Sequence, residues 1–294
     1  MKGSRWEKNL FELIRRTATD LPSDVETALR KALLNEKKWS HGWWVLESIL
    51  QNVELARKKD VPICQDSGSL IFHFSVPVGF DTNALVAFVR SAVSKATRSG
   101  YLRQNTIDSI SGASYETNVA HGSPQFYFQQ GARKTVEVRL MMKGGGSENI
   151  GCQYSLPDAS LNAERNIEGV RKCILKAICD AQGKGCPPCA VGVCIGGDRA
   201  SGYAYAEAQF LRKINDRSNV KIISRLEKRI LKDATTLGIG PMGLGGRTTV
   251  LAVKIDSLSR LPASFFVSIS FMCWAYRRRG AVMGTEGGLY RWLY

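Results

Sequence analysis

The chain has 294 residues, 44% of them apolar, enough to bury the core of one large domain or two modest ones. Forty-one basic against 26 acidic residues leave a formal charge of +15, but the charges are scattered (Arg15-Arg16, Lys37-Lys38, Lys58-Lys59, Arg277-Arg278-Arg279). With no basic stripe interleaved with aromatics, the excess argues against nucleic acid and leaves an acidic partner or a small anionic substrate open, and the charge alone decides nothing further. No apolar run reaches the roughly eighteen residues of a membrane span. The N-terminus leads straight into an amphipathic helix without a signal-peptide pattern, so a cytoplasmic protein is expected. The eight cysteines (Cys64, Cys152, Cys173, Cys179, Cys186, Cys189, Cys194 and Cys273) are then expected to be thiols or metal ligands rather than disulfides.

Apolar residues at helical spacing predict helices over 9–17, 23–35 and 43–59, a helical lead-in to the chain. Ser23 followed by Glu26 is a capping box that sets the second start. A strand over 70–76 precedes a helix over 83–97 with a clean apolar stripe. Residues 99–123 read as irregular, with Arg103 in a polar loop and His121 just ahead of the next strand. The alternating stretches 125–129 and 134–142 predict an antiparallel hairpin. Gly144-Gly145-Gly146 then interrupts the order, either as a flexible turn or as a nest of N–H groups for an anion.

A helix over 163–181 ends at Gly183-Lys184-Gly185, and Cys186-Pro187-Pro188-Cys189 follows. The apolar run 190–195 reads as a buried strand closed by Gly196-Gly197. Helices over 202–214 and 221–237 lead to a glycine cluster at 238–246, and strands over 248–255 and 265–271 bring the chain to Cys273. With no repeat, linker or internal boundary, one domain over 1–294 is expected. The mixed order of elements indicates α+β: a helical N-terminal part, then mixed and antiparallel sheet elements flanked by helices.

Chemistry concentrates in Val61-Pro62-Ile63-Cys64-Gln65-Asp66-Ser67-Gly68, at a helix-to-strand junction of the kind that presents functional side chains. A thiol, an amide and a carboxylate stand in succession before a glycine that lets backbone approach. Alone, such a stretch is more often a buried cysteine in an ordinary turn. Cys186 and Cys189 form a lone C-x-x-C, without the second pair zinc would want. Two prolines and a strand follow, where a thioredoxin-type site needs a helix. Cys64, Cys186 and Cys273 each lie at a glycine- or proline-punctuated turn beside an apolar strand, and their wide separations match no local metal motif. Gathered by a fold, three loop-borne thiolates suit an iron–sulfur cluster with one iron left open as a Lewis acid for a substrate hydroxyl.

Taken together, the motifs resemble the α subunit, or N-terminal half, of class I iron–sulfur hydro-lyases, the oxygen-sensitive fumarases and L-tartrate dehydratase. The matching elements are Pro62-Ile63-Cys64-Gln65-Asp66-Ser67-Gly68 (the family usually has Thr for Ser67), Gly144 to Asn149, Cys186-Pro187-Pro188, Gly192 with Gly196, Leu237 to Gly246, and Cys273-Trp274-Ala275 with Arg277-Arg278. The resemblance implies that Cys64, Cys186 and Cys273 hold a 4Fe–4S cluster and that the other five cysteines are spectators. It places Gln65, Arg103, Gly145, Gly146 and Ser147 at the substrate, with Asp66 catalytic, transferring a proton or orienting the hydroxyl group. Arg103 would offer a planar fork to a substrate carboxylate, although on its own it reads as a surface arginine.

The implied reaction is reversible hydration of fumarate to L-malate, with L(+)-tartrate or another C4 hydroxy acid as the alternative substrate. A non-catalytic metal-binding scaffold is the alternative of another class. The family's second half is expected as a separate β subunit, in an assembly of two α and two β chains. One departure stands out: Leu261 occupies a place where relatives usually carry a substrate-contacting histidine, so His121 or Arg260 must compensate or the substrate differs.

Overall fold

The computed structural model describes residues 3–294. Helices α1 (Gly3–Thr19), α2 (Ser23–Asn35) and α3 (His41–Lys59) open the chain, followed by strand β1 (Ser69–Pro77) and helix α4 (Thr82–Arg98). Next come β2 (Gln125–Gly131), β3 (Val136–Lys143), the short α5 (Gly145–Asn149), β4 (Cys152–Ser155), α6 (Ile167–Ala181) and β5 (Cys189–Gly196). Helices α7 (Arg199–Ala208) and α8 (Lys221–Thr235) precede β6 (Val250–Leu258), β7 (Phe266–Met272), β8 (Arg277–Met283) and β9 (Leu289–Leu293). This mixed architecture agrees with the α+β expectation; α2, α3, α4 and α8 stand within two residues of where apolar periodicity puts them, whereas α1 starts and α7 ends well before the expected bounds and α5 is not among the expected helices.

Two compact units emerge, each built from separated stretches: Met1–Ser23, Gln51–Gly145 and Ala275–Tyr294 in the first, Asp24–Leu50 and Gly146–Trp274 in the second. Such interleaving leaves no single linker for composition to reveal.

The first unit holds a five-stranded sheet in the order β2-β1-β3-β8-β9. Strand β1 alternates: Leu70, Phe72, Phe74 and Val76 are buried in a core shared with Leu10, Leu13 and Ile14 of α1 and Leu85, Val89 and Val93 of α4. Asp81 caps α4 by accepting from the Ala84 N–H at 3.0 Å. The hairpin expected of β2 and β3 does not form, because β1 lies between them. Ile71 pairs with Gln125 and Pro77 with Gly131 in parallel, while Ser69 pairs with Lys143 and Ser75 with Glu137 antiparallel. A parallel partner requires a long crossover, which α4 and the irregular stretch after it supply.

Strands β8 and β9 have no counterpart in the sequence reading, and for β8 the reason is electrostatic. Arg277-Arg278-Arg279 reads as a solvated charge run, yet Arg277 and Arg278 are 1% and 0% exposed. The guanidinium of Arg278 lies 4.7 Å from the ring centres of both Tyr276 and Tyr294. Arg279 donates to Asp20 Oδ2 at 2.6 Å and to the Arg16 carbonyl at 3.2 Å, tying β8 to the end of α1.

In the second unit the sheet runs β4-β7-β5-β6. β5 is an interior strand, parallel to β6 and antiparallel to β7, which suits its continuous apolar run. Helices α6 and α8 bring Val170, Ile174, Ile178, Ile223, Leu226 and Ile230 to a core with Val191 and Val193. α7 approaches β5 so closely that a Cβ on Gly192 would lie 2.3 Å from the Ala206 carbonyl oxygen. Among the described residues no helix is long and apolar enough to cross a membrane.

Candidate active site

Asp66 stands in the connection between α3 and β1, inside the first unit, with both carboxylate oxygens engaged. Oδ1 accepts from the Gly68 N–H at 3.0 Å and from Asn105 Nδ2 at 3.3 Å; Oδ2 accepts from the Gly145 N–H at 2.8 Å. A carboxylate offers about four lone-pair positions, so the position left open is on Oδ2. Glycine makes the approach possible. A Cβ on Gly144 would lie 2.7 Å from Asp66 Oδ2, and one on Gly68 (φ +72°) would lie 2.2 Å from the Lys143 carbonyl oxygen. The Asp66 carbonyl accepts from Arg277 Nη2 at 2.7 Å, so the buried strand β8 also braces this turn. Of the two expectations for the glycine run, backbone N–H donation holds at Gly145, and its acceptor is the protein's own Asp66.

Arg103 is anchored through both of its backbone polar groups. Its N–H donates to Ser67 Oγ at 2.7 Å, and its carbonyl accepts from Asn118 Nδ2 at 2.8 Å. Both anchors are buried, Ser67 at 3% and Asn118 at 4% exposure. The Arg103 side chain is exposed and joins no salt bridge among the described residues. Asp66, Arg103, Asn105, Thr106, Ser123 and Gly145 all line one cavity of about 600 Å³. Elements far apart in sequence thus bring one guanidinium and one fixed carboxylate to the same space.

The remaining expected substrate contacts are placed otherwise. Gln65 is exposed and does not line this cavity. Gly146 and Ser147 belong to the second unit, where Ser147 is 1% exposed and its hydroxyl has no hydrogen-bond partner. Leu261 is 74% exposed. Arg260 Nη1 donates back to the carbonyls of Leu261, Pro262 and Ser264 at 3.0 to 3.1 Å, so it clasps its own loop. His121 is exposed, next to Gly122 and Ser123 of the cavity wall. The sequence reading did not include Asn105, Asn118 or the contact of Arg277 with the Asp66 carbonyl. A lone asparagine in an irregular stretch carries no periodic signal, and Arg277 sits in what looks like surface charge.

No disulfide joins the eight cysteines among the described residues. Burial pushes the thiols of Cys152 and Cys194 up to about 11 and those of Cys173 and Cys189 up to about 12. Burial thus disfavours the thiolate form at those four positions. Cys64, Cys186 and Cys273 are only partly buried, in loops at strand ends. Cys64 belongs to the first unit, Cys186 and Cys273 to the second. The antiparallel pairing of Ala190 with Met272 brings the segment entering β5 beside the segment leaving β7, and the Trp274 N–H donates to the Cys186 carbonyl at 3.2 Å. No group of three or more His, Cys, Asp or Glu among the described residues is arranged around a single ion. A cubane cluster does not need one, because each thiolate binds a different iron. Thiolate sulfur is the donor type such a cluster takes.

The fold and this site define a class that comparison makes explicit. The family model described as fumarate hydratase (Fumerase) matches residues 7–282, and the chain belongs to that family. A provisionally named class I fumarate hydratase of Geobacillus stearothermophilus is 40% identical over 98% of this chain and 57% of its own length. The chain thus spans a little over half of that relative. A provisionally named L(+)-tartrate dehydratase subunit alpha of Methanocaldococcus jannaschii is 35% identical over 92% of this chain and 94% of its own. The L(+)-tartrate dehydratase subunit alpha of Escherichia coli K12 is 30% identical over 89% and 85%.

Proposed function

We propose that the chain is the α component of an iron–sulfur hydro-lyase that interconverts fumarate and L-malate. The observation that supports it is the cavity holding Arg103 and the hydrogen-bonded carboxylate of Asp66 in a chain of this family. Cys64, Cys186 and Cys273 hold a 4Fe–4S cluster, which supplies a Lewis-acidic iron for the substrate's oxygen. Arg103 binds one carboxylate through its guanidinium fork. Asp66, fixed by three donors, turns its open Oδ2 position toward the substrate, where it orients the hydroxyl group or takes a proton. Gly145, which lines the same cavity, adds to the contacts within this unit. A β subunit contributes the remaining groups in an assembly of two copies each, and the complex works in the cytoplasm without membrane or nucleic acid.

L(+)-tartrate is the second reading, and a specific observation favours it. Gln104, Ser114 and Gln125 add neutral amides and a hydroxyl to the cavity wall, which suit a substrate with a second hydroxyl group. Purification with the β subunit under anaerobic conditions, followed by parallel assays of fumarate and L(+)-tartrate, decides between the substrates. Turnover of no C4 hydroxy acid by the cluster-loaded complex would leave a non-catalytic scaffold. In the same complex Leu261→His should raise kcat/KM on fumarate if a carboxylate contact is missing there. A loss on fumarate, beside good wild-type turnover of another hydroxy acid, moves the assignment to that acid.

A further inference from the structure

Asn118 has all its hydrogen-bonding capacity in use. Its Oδ1 accepts from the Asn105 N–H at 3.0 Å and from Thr106 Oγ1 at 3.1 Å. Its Nδ2 donates to the Arg103 carbonyl at 2.8 Å and to Thr97 Oγ1 at 3.2 Å. An amide side chain has two donors and one strong acceptor, so nothing is left over for a ligand. Followed outward, these bonds close a ring within the first unit. Asn118 holds Asn105, whose Nδ2 reaches Asp66 Oδ1; Ser67, next in the chain to Asp66, accepts from the Arg103 N–H; and the Arg103 carbonyl returns to Asn118. Asn118 is 4% exposed, so water is a poor substitute for any of its partners.

We infer that Asn118 is a positioning residue that sets the spacing and direction of Arg103 and Asp66 relative to each other, and so selects for a substrate with a carboxylate at one fixed distance from the reacting carbon. The inference rests on the reading of Arg103 as the carboxylate anchor. The geometry carries the coupling: the Arg103 backbone is clamped between Ser67 and Asn118 through its N–H and its carbonyl, which fixes the point from which its side chain leaves the chain. The Asn105 amide on Asp66 hangs from the same amide oxygen that holds Thr106. Removing Asn118 frees Arg103 on one side and Asn105 on the other without touching either side chain, and preorganisation of that kind controls how much binding energy reaches the substrate.

The test uses the cluster-loaded complex and two unreactive probes, succinate with two carboxylates and butyrate with one. Asn118→Ala is expected to raise KM for fumarate and Ki for succinate roughly ten- to a hundredfold, the usual penalty for freeing a buried hydrogen-bonded group, and to leave Ki for butyrate within about twofold. Asn118→Asp keeps both acceptor contacts but turns a buried carboxylate oxygen against the Arg103 carbonyl, so it should raise Ki for succinate at least as much as Asn118→Ala. It also covers the case in which the alanine variant does not fold. A proportional fall in kcat with unchanged KM and unchanged Ki ratio would mean a merely structural role and overturn the inference. So would an Asn118→Asp complex indistinguishable from wild type. Arg103→Ala separates the two levels. If it leaves Ki for succinate unchanged, the anchor reading fails; if it raises Ki while both Asn118 variants do not, only the role of Asn118 fails.

Discussion

At the scale of single residues, burial sorts the cysteines. Cys189 is 5% exposed, its thiol is held near 12, and its sulfur lies 3.7 Å from the Thr249 carbonyl oxygen. A serine there can make the same contact, so Cys189→Ser is expected to keep the broad visible absorbance of the reconstituted cluster. Cys64→Ser, Cys186→Ser and Cys273→Ser are each expected to lose most of it. Retention in Cys186→Ser with loss in Cys189→Ser would reverse the assignment. Glycine supplies a second prediction. Because a Cβ on Gly144 would meet Asp66 Oδ2 at 2.7 Å, Gly144→Ala must push the carboxylate away from the Gly145 N–H. Losing that charge-assisted bond should lower kcat about tenfold or more, with a change in melting temperature of only a few degrees. Wild-type kcat in Gly144→Ala would show that the Asp66–Gly145 bond does not serve turnover.

At the scale of elements, β1 carries a titratable group in the middle of the first sheet. His73 is stacked on Tyr127 of β2 with ring centres 4.7 Å apart, sits opposite Arg139 of β3, and its Nε2 has no partner. Burial, and then the charge of Arg139, lower its pKa from 6.5 to about 4. The folded state therefore resists protonation that the unfolded chain accepts. Stability is at its full value above about pH 6.5 and is progressively lost as pH falls toward about 4, by up to about 3 kcal/mol from this one group. His73→Phe keeps the stacking and removes the titration. Urea denaturation at pH 7 and pH 4 should show the variant losing less stability than wild type over that interval; equal losses would dismiss His73 as the cause. The same sheet shows why β8 escapes notice. Apolar alternation signals a strand only when its buried positions are apolar, and here arginines fill them.

For the whole molecule, the charge of +15 is the property that acts beyond contact distance. Screening extends over about 8 Å at physiological ionic strength, so a net positive field should help a dianion reach the cavity only in dilute salt. KM for fumarate is expected to rise several-fold between 20 mM and 500 mM NaCl, with kcat nearly constant. A KM independent of salt would mean that the scattered charges are only a solvated surface.

Much of this protein is written locally in its chain. The span of α2 and the approximate bounds of α3, α4 and α8 follow from apolar periodicity, because a helix buries residues that recur within a few positions of one another. The three candidate thiols, Asp66 and the glycines that admit backbone to it are likewise marked by residue type and by the turns around them. Tertiary structure alone decides which strand lies next to which, as when β1 enters between β2 and β3. It alone buries Arg277 and Arg278, and it alone joins Asp66 to Gly145 and Arg103 to Asn118. The reason is range. Periodicity reports which face of an element avoids water, whereas a strand's partner or a buried donor's acceptor is chosen among groups tens to hundreds of residues away, once the core has brought them together.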